Sequence, residues 1–188
     1  VELGFASETD IAQALAAQVR LPFIRLLEEP IQVRAVNLIS AQLAQHHTTA
    51  HIINGVSKKI LGNHVWQAGA AKTLEKGRLD ITHYEIPDDE TLGRIEKEAN
   101  RVVDDDLEII KRFMDRKEAE DKYGFSLYQG GVAPGESLRV VNIKGLDVEA
   151  CGGTHLNSTG EAGHIKITRA TKVQDGVVLA DWVSGIYL

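Results

Sequence analysis

Apolar residues recur at helical spacing in three stretches near the start of the chain. In SETDIAQALAAQV, Ile11, Leu15 and Val19 fall on one helical face, and Ser7 with Asp10 three residues later forms a capping-box-like start. After the break at Pro30 a second helix is predicted from about Val33 to Leu43, giving a small helical pair with no evident chemistry of its own. A third begins at His47: in HTTAHIINGVSKKILG, Ile52, Val56 and Ile60 recur at i, i+4 and i+8, and Gly62 supplies the C-terminal glycine.

Beyond Gly62 the pattern becomes mixed. RLDITHYEI alternates as a strand, and PDDETLGRIEKEANRVV reads as a helix with acidic first-turn residues and with Leu92, Ile95, Ala99 and Val102 inward. DLEIIKRF is a further strand, DRKEAEDKYG a short polar helix ended by Gly124, and LRVVNI, GHIKITRA and GVVLADWV are three more strands. The order predicts an α+β fold, a two-layer sandwich of an antiparallel sheet packed with helices, preceded by a small helical segment over residues 1–45. No internal repeat or low-complexity linker interrupts it.

Composition adds bounds. At 188 residues and 43% hydrophobic, the chain can bury a core in one domain plus an appendage. No apolar run approaches the roughly 20 residues that span a bilayer, and the amino terminus has no basic region followed by an apolar core, so a cytoplasmic protein is expected. The chain begins at Val1 and its only methionine is Met114, which reads as a processed or excised piece of something longer. A formal net charge of −6 argues against nucleic-acid binding driven by charge over the whole surface. Local basic groups remain at Lys58 and Lys59, at Lys72, Lys76 and Arg78, and at Lys166, Arg169 and Lys172; the bland reading of these is a mixed solvated surface.

The candidate chemistry lies in CGGTH, residues Cys151 to His155, which holds the only cysteine. A lone thiol forms no internal disulfide, and in a reducing compartment it is more often a ligand or a nucleophile. Cys151 and His155 can reach one metal ion if the glycines between them let the backbone turn. His47 and His51 stand at i and i+4 on the third predicted helix, which puts both imidazoles on one face about 6 Å apart, while His46 is off that face. Zn²⁺ accepts this mixture of nitrogen and sulfur, so His47, His51, Cys151 and His155 are the predicted ligands. His64, His83 and His164 read as ordinary surface or core histidines.

HTTAH followed about a hundred residues later by CGGTH, with HVWQAG and RLDITHY between, resembles the editing domain of alanyl-tRNA synthetase and the free-standing AlaX proteins, from about His47 to Gly185. The resemblance includes VNIKGLDVEACGGTHLNSTGEAGHIKI and implies a zinc-binding editing-type domain over residues 46–188. It implies hydrolysis of tRNA(Ala) wrongly charged with serine or glycine, with zinc held by the HxxxH and CxxxH motifs. The related threonyl-tRNA synthetase editing domain shares those motifs, usually without GGT. Gln67 matches a glutamine that the family places by its pocket, and Thr48 and Thr154 lie inside the ligand motifs, where they can bond ligands or substrate. Under this reading Lys72, Lys76 and Arg78 would approach acceptor-stem phosphates, and the rest of a synthetase chain is a possible partner.

Two departures matter. Residues 1–45 do not resemble the glycine-rich barrel that precedes HxxxH in the family; GFASETDIAQALAAQVRLPFIRL instead resembles the amino-terminal helical domain of type II secretion and type IV pilus assembly ATPases. Val178 and Leu179 also stand where family members commonly carry two arginines. A noncatalytic, zinc-stabilised module that binds tRNA or another protein is therefore the alternative to a deacylase.

Overall fold

A computed structural model describes residues 33–128 and 135–184. The first predicted helix and the pilus-ATPase-like segment around it lie outside the described residues. The chain divides into two units, Val1–Asn37 and Leu38–Leu188, and the second is described here.

The two helices expected on either side of His47 are one, α1 (Val33–Leu61). No glycine or proline stands between Leu43 and His47 to break it. The helical period is hard to read there because polar residues are buried as well: His46, Thr48, Thr49, His51, Asn54 and Ser57 are as enclosed as Ala50, Ile52, Ile53 and Val56. Thr49 returns its hydroxyl to the Gln45 carbonyl at 2.9 Å, within the helix. Gly62 ends α1 as anticipated, at φ +116° with its N–H on the Lys58 carbonyl.

The next elements are β1 (Gln67–Lys72), β2 (Gly77–Thr82), α2 (Asp89–Asp104), β3 (Ile109–Asp115), α3 (Arg116–Tyr123), β4 (Ser137–Ile143), β5 (Asp147–Ala150), β6 (Ile165–Gln174) and β7 (Val177–Ser184). The α+β class holds, but the single expected sheet is two antiparallel sheets, four-stranded in the order β1-β2-β7-β6 and three-stranded in the order β3-β4-β5. β2 stops at Thr82, short of the predicted Ile86, where the next N–H, that of His83, is taken by the Gly176 carbonyl.

One core joins both sheets to α1. It gathers Ile52, Ile53 and Val56 of α1, Leu79, Ile81 and Trp182 of the larger sheet, and Ile109, Val141 and Ile143 of the smaller one. Trp182 is fully buried against Gly77, where any side chain would collide with the indole. Val178 is also buried, opposite Ile81. α2 is capped by the Asp88 carboxylate, which accepts from the Thr91 N–H, and it is fixed to β6 by Asn100, which bonds both the N–H and the carbonyl of Ile165. Behind β4 a second cluster holds Ala119, Leu127, Leu138 and Val140. Among the described residues no helix is long and apolar enough to cross a membrane.

Candidate metal centre

α1 carries His47 and His51 one turn apart on a face that looks onto the end of β5, with ring centroids 5.5 Å apart. The chain leaves β5 at Ala150, and the CGGTH loop then brings His155 back over the helix, 4.0 Å from His47 and 4.6 Å from His51 by ring centroids. The Cys151 sulfur lies 3.4 Å from Nε2 of His47 and 3.3 Å from Nε2 of His155. One donor atom from each of His47, His51, Cys151 and His155 falls within 4.8 Å of the others. The sulfur-to-nitrogen edge of a tetrahedron with Zn–S near 2.3 Å and Zn–N near 2.05 Å is about 3.6 Å. The donor set and its spacing therefore fit zinc.

Three supports hold the loop in this position. Arg139 of β4 donates from Nη1 to the carbonyls of Cys151 and Gly153, both at 2.7 Å. The Thr48 hydroxyl, fully buried, accepts from the Leu156 N–H at 3.1 Å. Lys111 of β3 donates to the Leu156 carbonyl and to Asn157 Oδ1, both at 2.8 Å. The two loop glycines have different duties: Gly152 meets nothing nearby, whereas a Cβ on Gly153 would collide with the His47 imidazole. Close approach, rather than a left-handed backbone, is what requires glycine at 153.

Behind the donors lies a buried acidic pair that sequence reading missed. His51 donates from Nδ1 to Asp147 Oδ2 at 2.7 Å, which leaves Nε2 for the centre, and Glu149 Oε2 stands 3.6 Å away. Asn54, one turn along α1, donates to Glu149 Oε1 at 2.9 Å. Asp147, Glu149 and Cys151 alternate at a spacing of two, which places them on one face of a strand. That spacing was the available signal.

Burial and charge shape the ionisation of the group. Burial would lower the His51 imidazole, but the bonds to Asp147 and Cys151 and the nearby carboxylates outweigh it and raise it to about 10. Glu149 is pushed up to about 8 by burial, with Asp147 adding and His51 opposing. Burial would raise the Cys151 thiol, yet hydrogen bonding from His155, His47 and His51 draws it down to about 3. His155 falls to about 4, chiefly through burial.

The other sequence candidates are spread more widely. Gln67 is the first residue of β1, half-buried and opposite Ile81. Lys72, opposite Gly77 at the far end of β1, is half-buried; burial lowers its ammonium, and the charges of Cys151 and Glu149 act on it. Its two sequence companions differ: Lys76 is exposed, and Arg78 is bound to Asp80 by two bonds of 2.9 and 2.7 Å. Thr154 is exposed. His46 is buried with Nδ1 3.2 Å from Ser184 Oγ, a tie between α1 and β7. His64 and His83 pair with each other at 2.9 Å, and His164 is exposed; none of the three joins the four donors.

Residues 138–178 match the family described as the threonyl and alanyl tRNA synthetase second additional domain. Over 145 residues the chain is 48% identical to the alanine–tRNA ligase of Methanococcus maripaludis strain S2, covering 77% of this chain and 16% of that protein. The alanine–tRNA ligase of Methanopyrus kandleri is 51% identical over 144 residues, with the same shares covered. That of Sulfurisphaera tokodaii is 48% identical over 144 residues, again covering 77% of this chain and 16% of the relative. The chain thus spans only 16% of the length of these curated relatives. The domain match over residues 138–178 and this consistent kinship over 77% of the chain support one relationship, to the editing domain of alanyl-tRNA synthetase.

Proposed function

We propose that this chain is an editing deacylase, hydrolysing the ester that joins serine or glycine to tRNA(Ala), with zinc held by His47, His51, Cys151 and His155. The observation that carries the reading is the convergence of those four donors, from segments a hundred residues apart, in a chain whose relatives are alanine–tRNA ligases. Held by all four donors, zinc has a closed tetrahedral shell and would chiefly organise the pocket; to lower the pKa of a water to about 7 or to polarise the ester carbonyl, one donor would have to release.

The chain's own groups have distinct duties in this reading. Asp147 fixes the tautomer of His51, Arg139 and Thr48 hold the loop that presents Cys151 and His155, and Cys151 enters as thiolate. Lys72 provides a cation on the side of the centre, suited to the developing negative charge or to the terminal phosphate, and Lys76 with Arg78 extends a basic edge toward the acceptor stem. Gln67 offers a neutral amide to the serine hydroxyl. Alanine has no hydroxyl, and leaving such a group unpaired costs about 1–3 kcal/mol, roughly five- to a hundred-and-fifty-fold in rate.

The test is deacylation of Ser-, Gly- and Ala-tRNA(Ala) by the zinc-loaded chain and by Cys151→Ala. Serine and glycine should be released and alanine spared, with Cys151→Ala inactive. Equal rates on serine and alanine would remove the editing reading. Zinc and tRNA binding without hydrolysis would leave a noncatalytic module. Gln67→Ala should lose discrimination against alanine; unchanged selectivity would remove that role alone.

A further inference from the structure

A row of side chains crossing the smaller sheet leads from Cys151 to an aromatic ring that packing does not explain. Phe113 of β3 stands opposite Arg139 of β4 in the ladder. Arg139 in turn stands beside Cys151, whose N–H donates to the Arg139 carbonyl at 2.9 Å. Residues directly opposite share a face, and the same parity contains Ile109, Val141 and Glu149, all buried toward α1. Strands 4.7–4.9 Å apart put the Phe113 backbone about 10 Å from that of Cys151. Here the loop gives way to solvent, and Phe113 is 78% exposed. Its neighbour Met114, on the opposite face, packs normally against the second core.

The surroundings of the ring are cationic on the side that leads to the thiol. Arg139 spends Nη1 on two loop carbonyls, which leaves most of its five donors for other partners. Lys111, two residues earlier on the same face, braces Leu156 and Asn157. Of the carboxylates on this face, Asp147 and Glu149 are buried at His51 and Asn54, and Asp115, next to Phe113 along β3, is turned to the first turn of α3, where it accepts from the Lys117 N–H.

We propose that Phe113 is the platform on which the terminal adenine of the aminoacyl-tRNA stacks while its ester lies at the metal centre. The inference rests on the deacylase reading for its substrate. An aminoacyl ester sits on the ribose of the last nucleotide, so the base is always one ribose away from the bond to be cut. Two strand spacings, about 10 Å between the backbones of Phe113 and Cys151, are within the reach of a single nucleoside laid across Arg139. An aromatic face is the common way to hold a base, and a guanidinium beside it suits the adjoining phosphate.

The probe is an adenosine carrying serine through a 3′-amide, which the enzyme cannot hydrolyse, titrated calorimetrically into the zinc-loaded 188-residue chain. Phe113→Ala should weaken binding roughly five- to a hundred-and-fifty-fold, the range for one base on one ring, while Phe113→Tyr stays close to wild type. Zinc content should be the same in all three, because the ring supports no ligand. With Ser-tRNA(Ala) the loss should appear in KM, with kcat little changed. Equal affinity in wild type and Phe113→Ala, or no binding to the wild type, would overturn the platform and leave the exposed ring to a protein contact. A wild type that binds the probe through Phe113 yet leaves Ser-tRNA(Ala) intact keeps the platform and sinks the deacylase. Hydrolysis with an unchanged KM in Phe113→Ala sinks the platform alone.

Discussion

Asp147→Asn isolates the bond on which the orientation of His51 depends. The His51 Nδ1 to Asp147 Oδ2 distance is 2.7 Å and both residues are buried, so solvent screens it little. Asparagine can still accept the proton through its carbonyl, which preserves shape and removes charge. Bonds to charged groups contribute about 1.5–3 kcal/mol against about 1 for neutral ones. The expected loss is therefore about 0.5–2 kcal/mol, a two- to thirtyfold weaker hold on zinc, overlapping the ten- to hundredfold typical of residues that support a ligand from behind. Glu149→Gln is the matched control. At 3.6 Å Glu149 lies beyond hydrogen-bond range of His51, and burial favours its neutral form, so glutamine should change zinc affinity by less than about threefold. Because Asp147 also raises the proton affinity of His51, chelator competition is run at several pH values and both affinities are compared after correction for the His51 proton, and metal-free thermal unfolding checks that each variant folds. Wild-type affinity in Asp147→Asn, or a larger loss in Glu149→Gln, would refute the assignment.

Gly153→Ala should displace His47 and abolish tight zinc binding while Gly152→Ala binds as wild type; equal affinities would show that the loop yields freely. Zinc affinity should rise about tenfold per pH unit through the neutral range, because His51 is protonated up to about 10 and must surrender one proton on binding, while Cys151 and His155 are already deprotonated there. Competition titrations at several pH values that gave a flat profile would contradict that order of ionisation. Gly77→Ala should lower stability by about 1–3 kcal/mol through the collision with Trp182, read as a drop in urea midpoint; an unchanged midpoint would mean that the indole moves without cost.

The donor set was legible because its chemistry is local twice over. HxxxH needs only a helix to align two imidazoles, and CxxxH needs only a tight loop. Much of the α+β order was legible for the same reason, as in the acidic start of α2 and the glycine after α3. What escaped was set by tertiary context. β1, QAGAAK, has no large apolar residues to mark it as a strand, and it is held by the β2 ladder. β5, DVEA, turns its acids inward, against the rule that buried strand faces are apolar, because His51 and Asn54 supply their partners. The continuity of α1 was masked by the same feature, a helix whose polar residues face the centre and are buried. Lys72, Lys76 and Arg78 looked equivalent in sequence; Lys72 ends β1, Lys76 lies in the turn that follows and Arg78 is on β2, which gives them different surroundings.

The central claim is that one metal ion is held by one sulfur and three imidazole nitrogens. X-ray absorption at the zinc edge of the loaded chain measures this directly. The predicted result is a single sulfur near 2.3 Å with three nitrogens near 2.0–2.1 Å, and loss of the sulfur shell in Cys151→Ala. A first shell of oxygen and nitrogen only, unaffected by Cys151→Ala, would contradict the account.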